Sequence, residues 1–549
     1  MKNTIFYILL YSLLVYAPII QGQTYDRNAL EIKIDSLIPE AVNDTTPGLI
    51  IGIVQNGELV FSKGYGLANI SYGISNDPDM VYNIGSVSKQ FLGYAFAMLH
   101  VKGDLNIDDP VTKYLDDWPE FDQVVTLRHL LTHTSGYREA YTMSNLAGRI
   151  IGVDRLSREE CLDVVRNQPK LEFIPGSGFT YNSTAWVILA EILEKVTDTP
   201  ADQWVETNIL QPLEMDNTQI ESYVGEVIMN TAESYSYDKE KGYSNERSNR
   251  AIFGAAEVYS NVQDLVKWIE NFKTAEIGGK EVNELFLEPF ILNDGSNSEY
   301  ALGIITSAYR GLKRYRHTGG HEAFATQLSY YPDQDLGIIT VSNFGGKGWL
   351  PTSKIAALLL GEYMTPEEDK EVEHFKIKKE NLEQLKGLYI SSNFNRTINL
   401  TMPEESLTIN GRTTLIPVAQ NTFSMEGQDG EVQIKNTSKE ETELTIIDGS
   451  TKTYTKVESW IPNESELMNF EGNYWSDELE TVYHLIVKDK QLIVKHRWLE
   501  DIILEPIAKD IFKTEWGYYI RFMRNAKEEI SGLSVNSGRT LDVYFQRKD

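Results

Sequence analysis

Apolar positions recur at helical spacing through Phe91-Leu92-Gly93-Tyr94-Ala95-Phe96-Ala97-Met98-Leu99, densely enough to predict a buried helix. The approach to it, Met80-Val81-Tyr82-Asn83-Ile84, is also apolar and aromatic. Between them lies Gly85-Ser86-Val87-Ser88-Lys89-Gln90, which sets Ser86 at the helix N-terminus and Lys89 one turn later on the same face. Upstream, Leu30, Ile32, Ile34, Leu37 and Ile38 form an apolar stripe that predicts a helix across residues 25–45, before the break at Pro47-Gly48. Residues 49–54 and 58–65 predict two strands, and Asn56-Gly57 between them predicts a type I′ hairpin turn. That hairpin is expected in the sheet against which the Ser86 helix packs.

Further along, Thr126 predicts the cap of a short helix carrying His129 and His133, with Gly136 at its end. A long loop, 173–183, ends in aromatics, and a helix is predicted over 184–196 with Trp186, Ile188, Leu189, Ile192 and Leu193 on its apolar stripe. Tyr181 stands just before that helix. Another helix is predicted over 261–272. Strand-like stretches follow at 300–307, 323–331 and 336–342. Between the first two, a strand carrying His317 and Thr318 runs into Gly319-Gly320, a pair that allows a ligand close to the backbone.

Residues 363–380 read as a charged, turn-prone linker. Beyond it come short alternating strands with Asn-Gly, Asp-Gly and Ser-Gly turns, the pattern of an antiparallel barrel or sandwich. Leu385-Lys386-Gly387-Leu388-Tyr389-Ile390-Ser391 and Phe470-Glu471-Gly472-Asn473-Tyr474-Trp475-Ser476 read as one opening strand used twice. The repeat of about 85 residues predicts two β-units, 381–462 and 463–549. The chain opens with Lys2 and an apolar run over 5–20. With the small residue of Gln21-Gly22-Gln23, this reads as an export signal over 1–22 and predicts a periplasmic or secreted protein with no stable membrane span after its removal.

Composition narrows the function. A formal net charge of −29 argues against nucleic acid as a partner. The single cysteine, Cys161, excludes an intramolecular disulfide and a cysteine-rich zinc site, and its apolar helical surroundings place it in a core. His129 and His133 have the i, i+4 spacing of metal ligands, but no acidic residue or third histidine nearby completes a set. They are expected to be structural, and no metal or other cofactor is called for. His374, His484 and His496 are isolated and expected to be structural or exposed.

The chemistry centres on Ser86. A serine hydroxyl is a poor nucleophile until a base takes its proton. A lysine becomes that base, or a proton relay, when burial lowers its pKa. Ser-x-x-Lys supplies both within one helical turn, and the apolar walls on either side carry Lys89 into the core. Tyr181 is the second candidate group, since a tyrosine near cations can lose or share its proton. The Gly320 and Ser86 backbone N–H groups are placed to form an oxyanion hole.

Together these stretches resemble the serine beta-lactamase and penicillin-binding-protein superfamily, in its class C and esterase-like branch. The marks are Ser86-Val87-Ser88-Lys89, Leu127 through Gly136, Pro175-Gly176 through Tyr181, His317-Thr318-Gly319-Gly320, and Tyr331-Pro332-Asp333 through Asn343, in the family's order. The resemblance spans about residues 30 to 362 and sets the first domain at 25–362. It implies an α+β fold: an antiparallel sheet flanked by helices, with a helical subdomain beside it. It implies Ser86 as the acyl-accepting nucleophile, Lys89 as its proton partner and Tyr181 as general base. It puts His317 where many members carry a lysine, so a substrate carboxylate would be held less firmly. Thr318 and Gly319 complete that strand motif. Ser183 stands where the family carries an asparagine, with one short hydroxyl in place of an amide, which implies altered substrate choice.

The expected function is an exported serine hydrolase acting through a Ser86 acyl-enzyme on an ester or amide. Esterase or D-amino-acid peptidase action comes first and beta-lactam hydrolysis second. The substrate is a small molecule or an acyl group derived from peptidoglycan or polysaccharide. The alternative is a catalytically weak or inactive protein of the same fold that binds glycan or cell wall.

Overall fold

The computed structural model describes residues 27–366, 375–403, 405–426, 430–436, 442–447 and 451–548. The export signal expected at 1–22, His374 and the middle of the expected linker lie outside them.

A six-stranded antiparallel sheet organises the N-terminal domain, in the order Ile305–Tyr309, Leu312–His321, Phe324–Tyr331, Leu336–Ser342, Leu49–Gln55, Glu58–Tyr65. The hairpin at Asn56-Gly57 forms as expected. Both residues have the positive φ of a type I′ turn, 53° and 79°. Leu49–Gln55 is apolar at nearly every position because both faces are covered. Ile50 and Val54 enter a core shared with Phe91, Leu92 and Phe96 of the Ser86 helix. Leu49, Ile51 and Ile53 enter a second core with Ile34, Ile355 and Leu359. The sheet is therefore sandwiched: helix Val262–Thr274 packs on it at one face, Arg27–Asp35 and Thr352–Leu360 at the other. Helices Leu127–Leu131, Ala140–Leu146, Arg158–Arg166 and Ser183–Thr197 build the helical part alongside. Cys161 is fully buried there, and burial pushes its thiol pKa up.

Local expectations fail where a single residue breaks the pattern. The first helix ends at Asp35 rather than reaching residue 45, and Ile32 is 71% exposed. Pro39 lacks an N–H and disfavours helix at Ile38, so Leu37 and Ile38 pack from turns instead. The strand expected from 300 begins only at Ile305, because Gly303 turns the chain at φ 93°. The short helix ends at Leu131, so His133 lies outside it at φ 59°, and the two histidines do not share a helical face. Gly319 and Gly320 do not follow a strand but continue one, through His321.

The C-terminal region forms two closed, eight-stranded antiparallel barrels, from Gly387–Ser391 round to Thr451–Val457 and from Gly472–Ser476 round to Val543–Lys548. They repeat each other in detail. Each opens on a glycine of positive φ, Gly387 at 136° and Gly472 at 145°. In each, a tyrosine of that strand donates back to a carbonyl four residues earlier: Tyr389 to Leu385 at 2.7 Å, Tyr474 to Phe470 at 2.9 Å. Each has a register shift after a proline, at Pro417 and Pro506. Barrels leave no open sheet edge, which a chain of short strands must otherwise protect.

Candidate active site

Ser86 sits in the one-turn 3-10 helix Gly85–Ser88, which leads into the helix Lys89–Lys102. Asn83 Oδ1 accepts the Gly85 N–H at 2.8 Å, and Ser88 Oγ accepts the Val258 N–H at 3.2 Å, fixing the turn from both sides. The strand carrying Gly319-Gly320 lies directly on it. A methyl group on Gly319 would fall 1.9 Å from Ile84 O and 3.2 Å from Ser86 N. A methyl on Gly320 would meet nothing within 4 Å. The two glycines thus differ. Gly319 lets the backbone approach the Ser86 turn, and Gly320 faces open space.

Lys89 is fully buried, with Nζ 3.1 Å from Ser86 Oγ and 2.5 Å from the Ala255 carbonyl. Burial, helped by the positive charge of Arg539, lowers its pKa to about 7. Its amine also stands 5.1 Å from the centre of the Tyr181 ring. Tyr181 Oη is buried and makes no well-formed hydrogen bond among the described residues, although the Ser86 hydroxyl stands close enough to act on it. Desolvation drives its pKa up, against the opposing pull of the Ser86 hydroxyl and of Arg539.

His317 is held at both ring nitrogens. A carbonyl only accepts, so the contact of 2.6 Å to Thr318 O makes Nδ1 the donor, and Nε2 receives the Tyr300 hydroxyl at 2.9 Å. Burial and the neighbouring Lys89 lower its pKa to about 3, so the ring is neutral. His133 packs against Tyr181 at 4.2 Å between ring centres, and its Nδ1 accepts the Asn182 N–H at 2.9 Å. His129 Nδ1 accepts the Thr126 N–H at 3.1 Å.

Asn182 caps the helix Ser183–Thr197. Its Oδ1 accepts the Ala185 N–H at 2.9 Å, and its Nδ2 donates to Tyr137 O at 2.5 Å and Arg138 O at 3.1 Å. Ser183, the first helical residue, is left facing the cleft.

Over Ser86 lies a cleft of about 970 Å³. Of the residues expected at the site, Ser86, Tyr181, Ser183, His317, Thr318 and Gly320 line it; Lys89 lies beneath Ser86, and Gly319 in the wall behind. Sequence reasoning missed Tyr141, Arg250, Tyr300, His321, Glu322 and Arg539, which line it too. Arg250 and Glu322 form a buried two-point ion pair at 2.9 and 2.8 Å, and no local spacing links them. Tyr300 was legible only as part of a strand-like stretch.

The family model described as Beta-lactamase matches residues 34–361. The chain belongs to that family. Among its curated relatives are an esterase, EstB, of Burkholderia gladioli, 30% identical over 35% of this chain and 51% of the relative, and a D-aminopeptidase of Cereibacter sphaeroides, 25% identical over 62% and 64%. The chain thus spans about half to two thirds of these relatives' length. The fold is shared with an octameric penicillin-binding protein homologue from Pyrococcus abyssi, at a TM-score of 0.54, with 24% identity over 78% of this chain and 100% of that one. The family is one of serine hydrolases with a beta-lactamase-like fold. Among the described residues, no helix is long and apolar enough to cross a membrane.

Proposed function

We propose that this chain is an exported serine hydrolase of the class C-like, esterase-like kind, cleaving an ester or amide through an acyl-enzyme on Ser86. The observation that carries the reading is the Lys89 amine, 3.1 Å from Ser86 Oγ, with its pKa lowered by burial to about 7, so that it can take up and release a proton near physiological pH. Ser86 Oγ attacks the carbonyl carbon as Lys89 takes its proton. The backbone N–H groups of Ser86 and Gly320 receive the oxyanion. As the carbonyl re-forms, the leaving group departs with a proton relayed through Tyr181, and water then repeats the sequence to free the acid. The resemblance gives Tyr181 the role of base. A buried phenol that stays protonated favours Lys89 in that role and Tyr181 as relay.

The esterase and D-aminopeptidase relatives favour a simple ester or a D-amino-acid-like amide over a beta-lactam, as does a neutral His317. The apolar N-terminal run supports a periplasmic or secreted location. The test is hydrolysis of an activated ester beside a chromogenic cephalosporin, with Ser86→Ala as control and mass spectrometry of the trapped acyl group. Ester turnover with the acyl mass on Ser86 is expected. An acyl group on any other residue, or wild type equal to Ser86→Ala on both probes, overturns the reading.

A further inference from the structure

The second barrel supplies part of the cleft wall. Arg539 lies between strands Ile530–Asn536 and Val543–Lys548, with its guanidinium carbon 5.2 Å from the centre of the Tyr181 ring. It lines the same cleft as Ser86 and Gly320.

Its loop is mounted firmly. Ser537 Oγ accepts the N–H groups of Arg539 at 3.1 Å and Thr540 at 3.0 Å, and Ser537 N donates to Thr540 O at 2.7 Å. The next residue, Leu541, donates its N–H to Glu172 Oε1 of the hydrolase domain at 3.0 Å. Arg138, 1% exposed, donates to the carbonyls of Leu541 and Asp542 and pairs with Glu172 at 2.9 Å and Glu478 at 2.7 Å. From the first barrel, Asn395 Nδ2 donates to Ser537 O at 3.1 Å. All three parts of the chain hold this loop. Ala140–Leu146 tightens the joint, since Met143 and Leu146 are buried in the core of the second barrel.

Of the other cations of the cleft, Arg250 is committed to Glu322 in a buried pair, while Arg247 is 82% exposed at the outer side, 3.9 Å from Glu233. Lys89 is buried beneath Ser86, and His317 is neutral. No carboxylate among the described residues pairs with Arg539. A guanidinium offers parallel N–H donors that match a carboxylate at two points.

We propose that Arg539 determines the specificity of this site, receiving a carboxylate that the substrate carries close to its scissile carbonyl. The preferred substrates are then anionic acyl esters or amides, and the second barrel is part of the active site rather than an appendage. The inference rests on the hydrolase reading above and names its substrate class.

The test compares 4-nitrophenyl butyrate with the 4-nitrophenyl monoester of glutarate, each measured on the pH plateau of the enzyme used. Wild type is expected to favour the anionic ester in kcat/KM. Arg539→Ala should lower that preference by about tenfold to a hundredfold, chiefly through KM, whatever happens to the absolute rates. Arg539→Lys should keep part of it, and Arg539→Glu should reverse it. A preference unchanged in Arg539→Ala, with only the pH profile moved, would show that Arg539 acts on Lys89 alone and would overturn the inference. So would wild type that cleaves both esters equally, which leaves the hydrolase reading standing. Wild type no better than Ser86→Ala on either ester overturns both.

Discussion

Lys89 Nζ bridges Ser86 Oγ at 3.1 Å and the Ala255 carbonyl at 2.5 Å, so the amine is aimed at the Ser86 hydroxyl by a backbone group from a distant segment. Among the described residues no carboxylate is paired with it, and that matters. A paired lysine stays charged, whereas one held by a carbonyl in an apolar site can give up its proton.

The pH dependence of turnover follows. With Lys89 near pKa 7, kcat/KM for an activated ester should rise through about pH 7 and level off above it. Removing the positive neighbour favours the protonated amine, so Arg539→Ala should move the midpoint to higher pH. A profile flat from pH 5 to 9 would exclude Lys89 as the base.

Stability should show the same group. The folded pKa lies below that of an unfolded lysine, so the unfolded chain holds the extra proton between about pH 7 and ~10.4. The strain from this group is therefore greatest below pH 7 and eases as pH rises. Lys89→Met should be inactive yet more resistant to urea than wild type, with a larger gain at pH 6 than at pH 9. Equal gains at the two pH values would contradict the assignment.

The glycine pair gives a steric test. Gly319→Ala forces a methyl into Ile84 O, so it should lose activity and about 1–3 kcal/mol of stability or more. Gly320→Ala should melt like wild type while turnover falls, because its methyl enters the cleft beside the proposed oxyanion position. Thermal melts and ester assays on both variants decide this.

Asn182 and Ser183 should separate fold from specificity. Asn182→Ala removes a helix cap and two buried donor contacts, and is expected to lower stability by about 1–3 kcal/mol. Ser183→Asn leaves the cap intact and should change relative kcat/KM among substrates. A uniform loss on every substrate would instead mark Ser183 as a packing position.

Docking of the second barrel should hinge on Arg138. Breaking one partner of a buried ion pair costs about 3–5 kcal/mol, so Glu478→Ala should expose the joint to protease and lower the melting temperature. Calorimetry and limited proteolysis would register the change.

Much of this protein is written in short stretches of sequence. Ser86 and Lys89 share a helical face because they are three residues apart, and Asn56-Gly57 is a turn because both residues accept positive φ. The doubled opening strand was visible from Leu385 and Phe470, and both barrels formed from it. Local reading failed at Pro39, Gly303 and His133, where one backbone conformation overrules an apolar pattern.

The sequence by itself determined that Ser86 and Lys89 stand side by side, and with them the sheet hairpin, the family's order of motifs and the repeated β-units. All of these depend on spacing within a turn, a strand or a repeat. Only the tertiary structure decided that Lys89 rests on Ala255, that Asn182 is spent on capping its helix and on the Tyr137 and Arg138 carbonyls, that burial lowers the His317 pKa, and that Arg539 enters from the far end of the chain. Burial and charge pairing set those outcomes, and both arise when distant segments pack together.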